Sequence, residues 1–172
     1  MATLYHNISG ELTQELLAAG DNVNVSKISL TNVQKVSKCK VDLYIKKQKT
    51  GKFYLLKGVE LPIGATLICE SPKFSNKTGE YGLYIKLTDG ATFTLTGSID
   101  PTGTNTNVPG TNTLYTSELS VGDEIVVSGE TRTISSITSD TAAVVSVAWG
   151  SDLSNDTTPD CNPTALVDVQ IN

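Results

Sequence analysis

Between Cys39 and Leu87 apolar and polar residues alternate one by one. Cys39, Val41, Leu43 and Ile45 interleave with Lys40, Asp42, Tyr44 and Lys46, and Leu83, Ile85 and Leu87 interleave with Tyr84 and Lys86. A period of two over such lengths predicts strands with one buried and one solvated face. Pro62 and Gly64, inside Leu61-Pro62-Ile63-Gly64-Ala65-Thr66-Leu67, supply a fixed φ and a permissive one, so the chain turns there. Val23–Leu30 reads as a strand whose phase shifts between Val23/Val25 and Ile28/Leu30, the mark of a bulge or a change of face. Lys47–Lys52 is a polar hairpin loop, Phe53–Leu56 returns from it, and Lys57-Gly58 turns the chain toward Val59–Leu61. Ala65–Cys69 is a short strand, Ser71–Tyr81 a loop, and Asp89-Gly90 a hairpin turn leading to Phe93 and Leu95. The stretch from Ser9 to Gly20 fits either of two readings. Ser9 as cap, Leu12 and Leu16 four apart and Gly20 as stop suit two turns of helix, while a strand running into Gly20-Asp21-Asn22 suits it as well.

Gly97–Asn112 is a compositional break, rich in Thr, Asn, Gly and Pro, with Ile99 and Val108 its only aliphatic residues. Beyond it, Ile125–Ser128, a return strand carrying Arg132, Ile134 and Ile137, and Ala142–Ala148 make a compact meander, with turns at Gly129-Glu130 and Ser139-Asp140. Val167, Val169 and Ile171 alternate with Asp168 and Gln170 in a final strand that closes this module or pairs with another chain. The expected fold class is all-β. An antiparallel β-sandwich occupies residues 1–98, a linker 99–112, and a small β-meander or barrel-like module 113–172.

Charge sharpens the division. Residues 1–98 hold 12 Lys against 8 Asp and Glu, a balance of +4, and residues 99–172 hold one Arg against 10, a balance of −9, which together give the net −5. Lys46, Lys47, Lys49 and Lys52 cluster at one hairpin tip, flanked by Tyr44 and Tyr54. They read as a solvated tip that blunts an edge, or as a contact for an acidic protein surface, including the negative half of a neighbouring copy. One Arg in an acidic chain argues against nucleic acid as the partner.

Candidate chemistry is sparse. His6 is the sole histidine, so a site needing two imidazoles is excluded. Nucleophile-elbow, phosphate-loop and dinucleotide-binding signatures are absent. Cys39 and Cys69 keep the phase of buried residues and read as small core hydrophobes, whereas Cys161 lies in a loop and is free to pair or react. Asp152, Asp156 and Asp160 recur every fourth position, as an acidic loop or a calcium-binding one, without the spacing of a known calcium loop. Trp149, after a strand of small residues, is a lid on the second core or a platform for stacking a sugar. No catalytic residue, metal ligand or cofactor is assigned. The possible interaction surface is Lys46, Lys47, Lys49, Lys52 and Trp149. No apolar run reaches bilayer length, and Met1–His6 lacks the features of a secretory signal, so a soluble chain made in the cytoplasm is expected, with no membrane partner.

Two sets of segments resemble known proteins. Ile28–Asn32, Val41–Ile45, Tyr54–Val59, Leu61–Leu67 and Tyr81–Leu87 are similar to small β-sandwich virion proteins of tailed bacteriophages, those of marine cyanobacteria among them. Ser117–Ile125, Gly129–Arg132 and Ile137–Thr141 resemble a β-rich module recurrent in phage fibre and other structural proteins. The resemblance implies a non-enzymatic structural role on the virion, with other copies of the chain and major capsid or tail components as partners. Among such roles capsid decoration is the first expectation, since the chain is short and lacks a long repetitive shaft. A tail, neck, baseplate or fibre accessory, or a carbohydrate- or receptor-binding module, is the alternative.

Overall fold

The computed structural model describes residues 3–47, 51–75, 79–153 and 155–172. The strands are β1 (Leu4–Ser9), β2 (Gln14–Leu17), β3 (Asn24–Asn32), β4 (Cys39–Lys47), β5 (Lys52–Leu61), β6 (Thr66–Ser75), β7 (Tyr81–Thr88), β8 (Phe93–Thr94), β9 (Ser98–Ile99), β10 (Asn107–Thr111), β11 (Glu124–Val127), β12 (Glu130–Ser139), β13 (Ala142–Val145), β14 (Asp160–Asn162) and β15 (Leu166–Ile171). Among the described residues the one helical turn is α1 (Tyr115–Glu118), and every ladder is antiparallel. The all-β expectation holds.

The chain forms two compact units, the first of residues 1–34, 38–89 and 165–172, the second of 35–37 and 90–164. The first unit is a sandwich of two four-stranded sheets, ordered β1-β15-β3-β6 and β2-β7-β4-β5. Alternation does the folding. Val41, Leu43, Leu83, Ile85 and Leu87 from one sheet meet Ile28, Leu30, Val167, Val169 and Ile171 from the other in a single core. The phase shift read in β3 is a register break between Val25 and Lys27. Ser9–Gly20 resolves to the strand β2, with Leu12 exposed and the consecutive Leu16 and Leu17 both buried at a register break between Glu15 and Leu17 against β7. Lys57-Gly58 does not end β5. Gly58 takes φ 59° and donates its N–H to Asp42 Oδ1 at 2.6 Å, so the strand bulges and continues.

The expected domain limits need correction in three places. The strand Leu166–Ile171 belongs to the sandwich, between β1 and β3, and closes no second module. Residues 99–112 are no linker. Their two aliphatic residues, Ile99 and Val108, are fully buried on β9 and β10, and Gly110 permits close packing where a Cβ would fall 2.1 Å from Thr113 Oγ1. Asp89-Gly90 makes no hairpin, since β8 pairs with β14 and the boundary between units lies there. Composition misled because these strands place few apolar residues inward and satisfy their backbone through the ladder.

The second unit is thus an insertion between β7 and β15. Its seven strands run β8-β14-β11-β12-β13-β10-β9, with the expected meander β11–β13 at the centre. The sheet curls without closing, and Ile99 exchanges backbone bonds of 2.8 Å with Asp156. Ile125, Val127, Ile134, Val145, Tyr115 and Trp149 fill its core. Asp123, fully buried, accepts from Ser120 N at 2.7 Å and Thr164 N at 2.9 Å.

All three thiols are unbridged. Cys39 lies in the first core as expected, its pKa pushed up to about 11 by burial and then by the nearby Asp89 carboxylate. Cys161 is not in a loop but on β14, fully buried, and burial, then Asp123 and Glu118, push its pKa higher still. Cys69 is half-buried, with a pKa raised by burial. Native-state alkylation followed by peptide mass spectrometry should therefore label Cys69 first. For Cys39 the raised pKa alone lowers the thiolate fraction by about 100-fold near neutral pH. Equal labelling of all three would contradict these placements.

Candidate functional site

The face of the β2-β7-β4-β5 sheet turned away from the core carries a row of aromatic rings that spans its strands. In register Tyr54 lies beside Tyr44, Tyr44 beside Tyr84, and Tyr84 beside Glu15. Tyr44 and Tyr54 are tilted with centroids 5.5 Å apart, and Tyr44 and Tyr84 stack at 5.8 Å and 15°. Cross-strand aromatic pairs of this kind contribute about 0.5–1.5 kcal/mol each beyond their buried area. The Tyr84 hydroxyl donates to Glu15 Oε1 at 2.7 Å, and that bond, with burial, raises the Tyr84 pKa. Gly82 leaves room here. A Cβ would meet the Tyr84 ring at 3.0 Å and Glu15 Oε1 at 3.1 Å.

Lysines frame the row. Lys46 and Lys52 stand opposite each other in register, an unfavourable like-charge pair, and Lys52 bends away so that its ammonium lies 4.4 Å from the Tyr44 ring centroid. Contact with the Tyr44 hydroxyl, opposed by slight desolvation, raises the Lys52 pKa. Lys57 lies 5.1 Å from the Tyr54 ring centroid. Lys46 with Glu15, Ala18, Ala19 and Tyr84 lines a shallow depression of about 360 Å³. Tyr44 is buried beneath its neighbours, whereas Tyr54 is 40% exposed. The face therefore offers aromatic edges and ammonium groups, with Glu15 and Asp42 as carboxylates among them, a chemistry of non-covalent contact.

The five residues singled out from sequence do not all meet. Lys46 and Lys52 share this face. Lys47 lies in the alternate row, 3.2 Å from Glu80 and 5.8 Å from the Tyr81 ring centroid. Lys49 lies outside the described residues. Trp149 is 1% exposed, so it is a core residue and no platform. Its Nε1 donates to Asn107 O at 3.1 Å, and Arg132 covers the ring at 5.5 Å. Lys57 and Tyr84 were missed, because only the register of β7 against β4 brings Tyr84 beside Tyr44, and Lys57 reaches the Tyr54 ring within β5 next to the break at Gly58.

Elsewhere, carboxylates accept from backbone N–H groups and hydroxyls. Asp152 accepts from Gly103 N at 2.6 Å, Asp156 from Ser128 N at 2.5 Å and Thr158 N at 2.8 Å, and Asp160 from Thr94 Oγ1 at 2.8 Å. Burial raises the Asp156 pKa, but the bonds from Ser128 and Thr158 outweigh it and hold the carboxyl below its usual range. The three aspartates are pinned to different segments, and among the described residues no group of three or more His, Cys, Asp or Glu could hold a metal ion. His6 is half-buried on β1. No helix among the described residues is long and apolar enough to cross a membrane. Comparison of the chain with protein-family models, curated proteins and solved structures finds no match.

Proposed function

We propose that this chain is a non-enzymatic structural protein of a tailed-phage virion, made in the host cytoplasm and working in multiple copies as a capsid decoration protein. Tail, neck, baseplate and fibre positions are the alternatives within the same reading. The observation that supports it most is the tyrosine-lysine face, a sheet surface with cations and aromatic edges suited to an acidic protein partner. The resemblance of the sandwich and fibre-module segments adds to it. The competing carbohydrate- or receptor-binding reading draws on Trp149 and the tyrosines, and of these the Trp149 ring is enclosed in the core.

The chain is expected to copurify with intact particles in regular stoichiometry, and to be locatable by electron microscopy of the particle. Purified protein should bind particles lacking it, and the combined variant Lys46→Glu, Lys52→Glu, Lys57→Glu should weaken that binding by tenfold or more, with a steep salt dependence. Absence from purified particles would overturn the reading. Unchanged binding by the triple variant would remove the lysine face from it.

A further inference from the structure

Among the described residues the sandwich unit has four edge strands, β1 and β6 on one sheet and β2 and β5 on the other. An edge strand leaves a row of backbone N–H and C=O groups unpaired, and folded proteins blunt such rows with bulges, prolines, lysines or short length. Three of these edges are blunted. β6 contains Pro72 after Ser71 at φ 47°. β5 has two register breaks, Gly58 at φ 59°, and Lys52 and Lys57. β2 is four residues long and bulged. β1 has none of these devices. Leu4-Tyr5-His6-Asn7-Ile8-Ser9 has no proline, glycine, Lys, Arg, Asp or Glu, no positive φ, and an unbroken register from Leu4 against Ile171 to Ser9 against Leu166.

The hydrogen bonds show which groups face the open side. On β15, Asn172 exchanges bonds with Lys27 and Leu166 O accepts from Val33 N, so these alternate positions address β3. Ala165, Val167, Val169 and Ile171 then address β1, as the bond from Gly10 N to Ala165 O at 2.9 Å shows. Through the register, Leu4, His6 and Ile8 are engaged with β15. Tyr5, Asn7 and Ser9 turn their N–H and C=O groups outward. All three side chains are exposed, Tyr5 at 71%.

We propose that β1 is a self-association edge, on which two copies of this chain pair antiparallel about a two-fold axis at Asn7. The outward set Tyr5, Asn7, Ser9 is symmetric about Asn7. In that register Asn7 faces Asn7 of the partner subunit, Tyr5 faces Ser9 of the partner subunit, and each such pair exchanges both backbone bonds. A second copy suits the edge because the strand is uncharged and meets its own image without repulsion. The two four-stranded sheets join into one continuous sheet. This names a copy-to-copy contact and rests on the reading above only for the presence of many copies.

The test uses the full chain. Sedimentation from micromolar to submillimolar concentration is expected to show a monomer–dimer equilibrium. Asn7→Pro removes an outward donor and leaves the β15 ladder intact, so it should yield a monomer with an unchanged circular dichroism spectrum. His6→Pro, which breaks that ladder, should instead impair folding. In a Cys69→Ser background, mild oxidation should crosslink Asn7→Cys to itself, since such pairs have Cα atoms about 5.5 Å apart, within disulfide reach. Tyr5→Cys and Ser9→Cys should crosslink only when mixed. A monomer at every concentration, a dimer that survives Asn7→Pro, or self-crosslinking by Tyr5→Cys alone would overturn the proposal. A monomeric chain that still binds particles overturns this contact alone, and a β1-paired dimer absent from particles overturns the virion role alone.

Discussion

Removing Leu166–Asn172 should unfold the sandwich while leaving the inserted unit intact. β15 lies between β1 and β3, hydrogen-bonded along both sides, and contributes Val167, Val169 and Ile171 at 0–1% exposure. Burying side chains of this size is worth about 1.5–3 kcal/mol each. With the ladder bonds on both edges also lost, the deletion removes a large share of the roughly 5–15 kcal/mol that holds a domain of this size together. The chain carries its own reporters. Its sole tryptophan, Trp149, is in the core of the inserted unit, and Tyr5, Tyr44, Tyr54, Tyr81 and Tyr84 are in the sandwich. The truncated chain should lose the near-ultraviolet dichroism of the five sandwich tyrosines, keep that of Tyr115 in the insertion, and keep blue-shifted tryptophan emission. Val169→Asp should act in the same way by placing a carboxylate in the core, whereas Gln170→Asp, one residue along on the exposed face, should stay within about 0.5 kcal/mol of wild type. A truncated chain with unaltered tyrosine dichroism and melting would refute the central position of β15.

Asp123→Ala should produce the opposite pattern. This carboxylate has no exposed surface, and it accepts the backbone N–H groups of Ser120 and Thr164 across the insertion. Truncation leaves buried donors unpaired and opens a small void, a cost of about 3–5 kcal/mol. For a unit of this length that is a fall of roughly 15–30 °C in the midpoint followed by Trp149 emission. Asp123→Asn keeps one acceptor oxygen and should recover about half of the loss. The dichroism of the five sandwich tyrosines should be unaffected by either change, and only the share of Tyr115, in the core of the insertion, should follow the Trp149 transition. If Asp123→Ala melts with wild type, the carboxylate does not hold the turn to the end of the insertion.

Most of the sandwich was legible because its buried residues obey a two-residue period. Cys39 to Ile45 and Leu83 to Leu87 each predicted a strand, a face and a core position, and the bulge in β3 showed as a slip of phase. Topology was not legible in the same way. Val167, Val169 and Ile171 announce a strand with an apolar face, but nothing local says that the face fits between Ile8 and Leu30, whose codons lie far upstream. Asp123 reads in sequence as one more turn residue after Gly122, and only the fold reveals Thr164 N as its partner. The candidate face was half visible. Lys46, Lys52, Tyr44 and Tyr54 flank one hairpin, but Tyr84 joins them through register alone, Lys57 joins by lying over the Tyr54 ring within β5, and Trp149 gave no sign of which way its ring would turn.

The position of β15 also dictates an order of events during synthesis. The ribosome makes β1 and β3 early, but the strand that separates them is translated only after residues 90–164. At typical elongation rates of 5–20 residues per second, those residues take about 4–15 s to make. Throughout that interval β1 and β3 wait with a strand-wide gap between them, while the insertion can already complete its own sheet. The later-encoded unit is thus the first able to mature, and the nascent sandwich is a vacant berth that a strand from a neighbouring polysome could occupy before the proper one arrives.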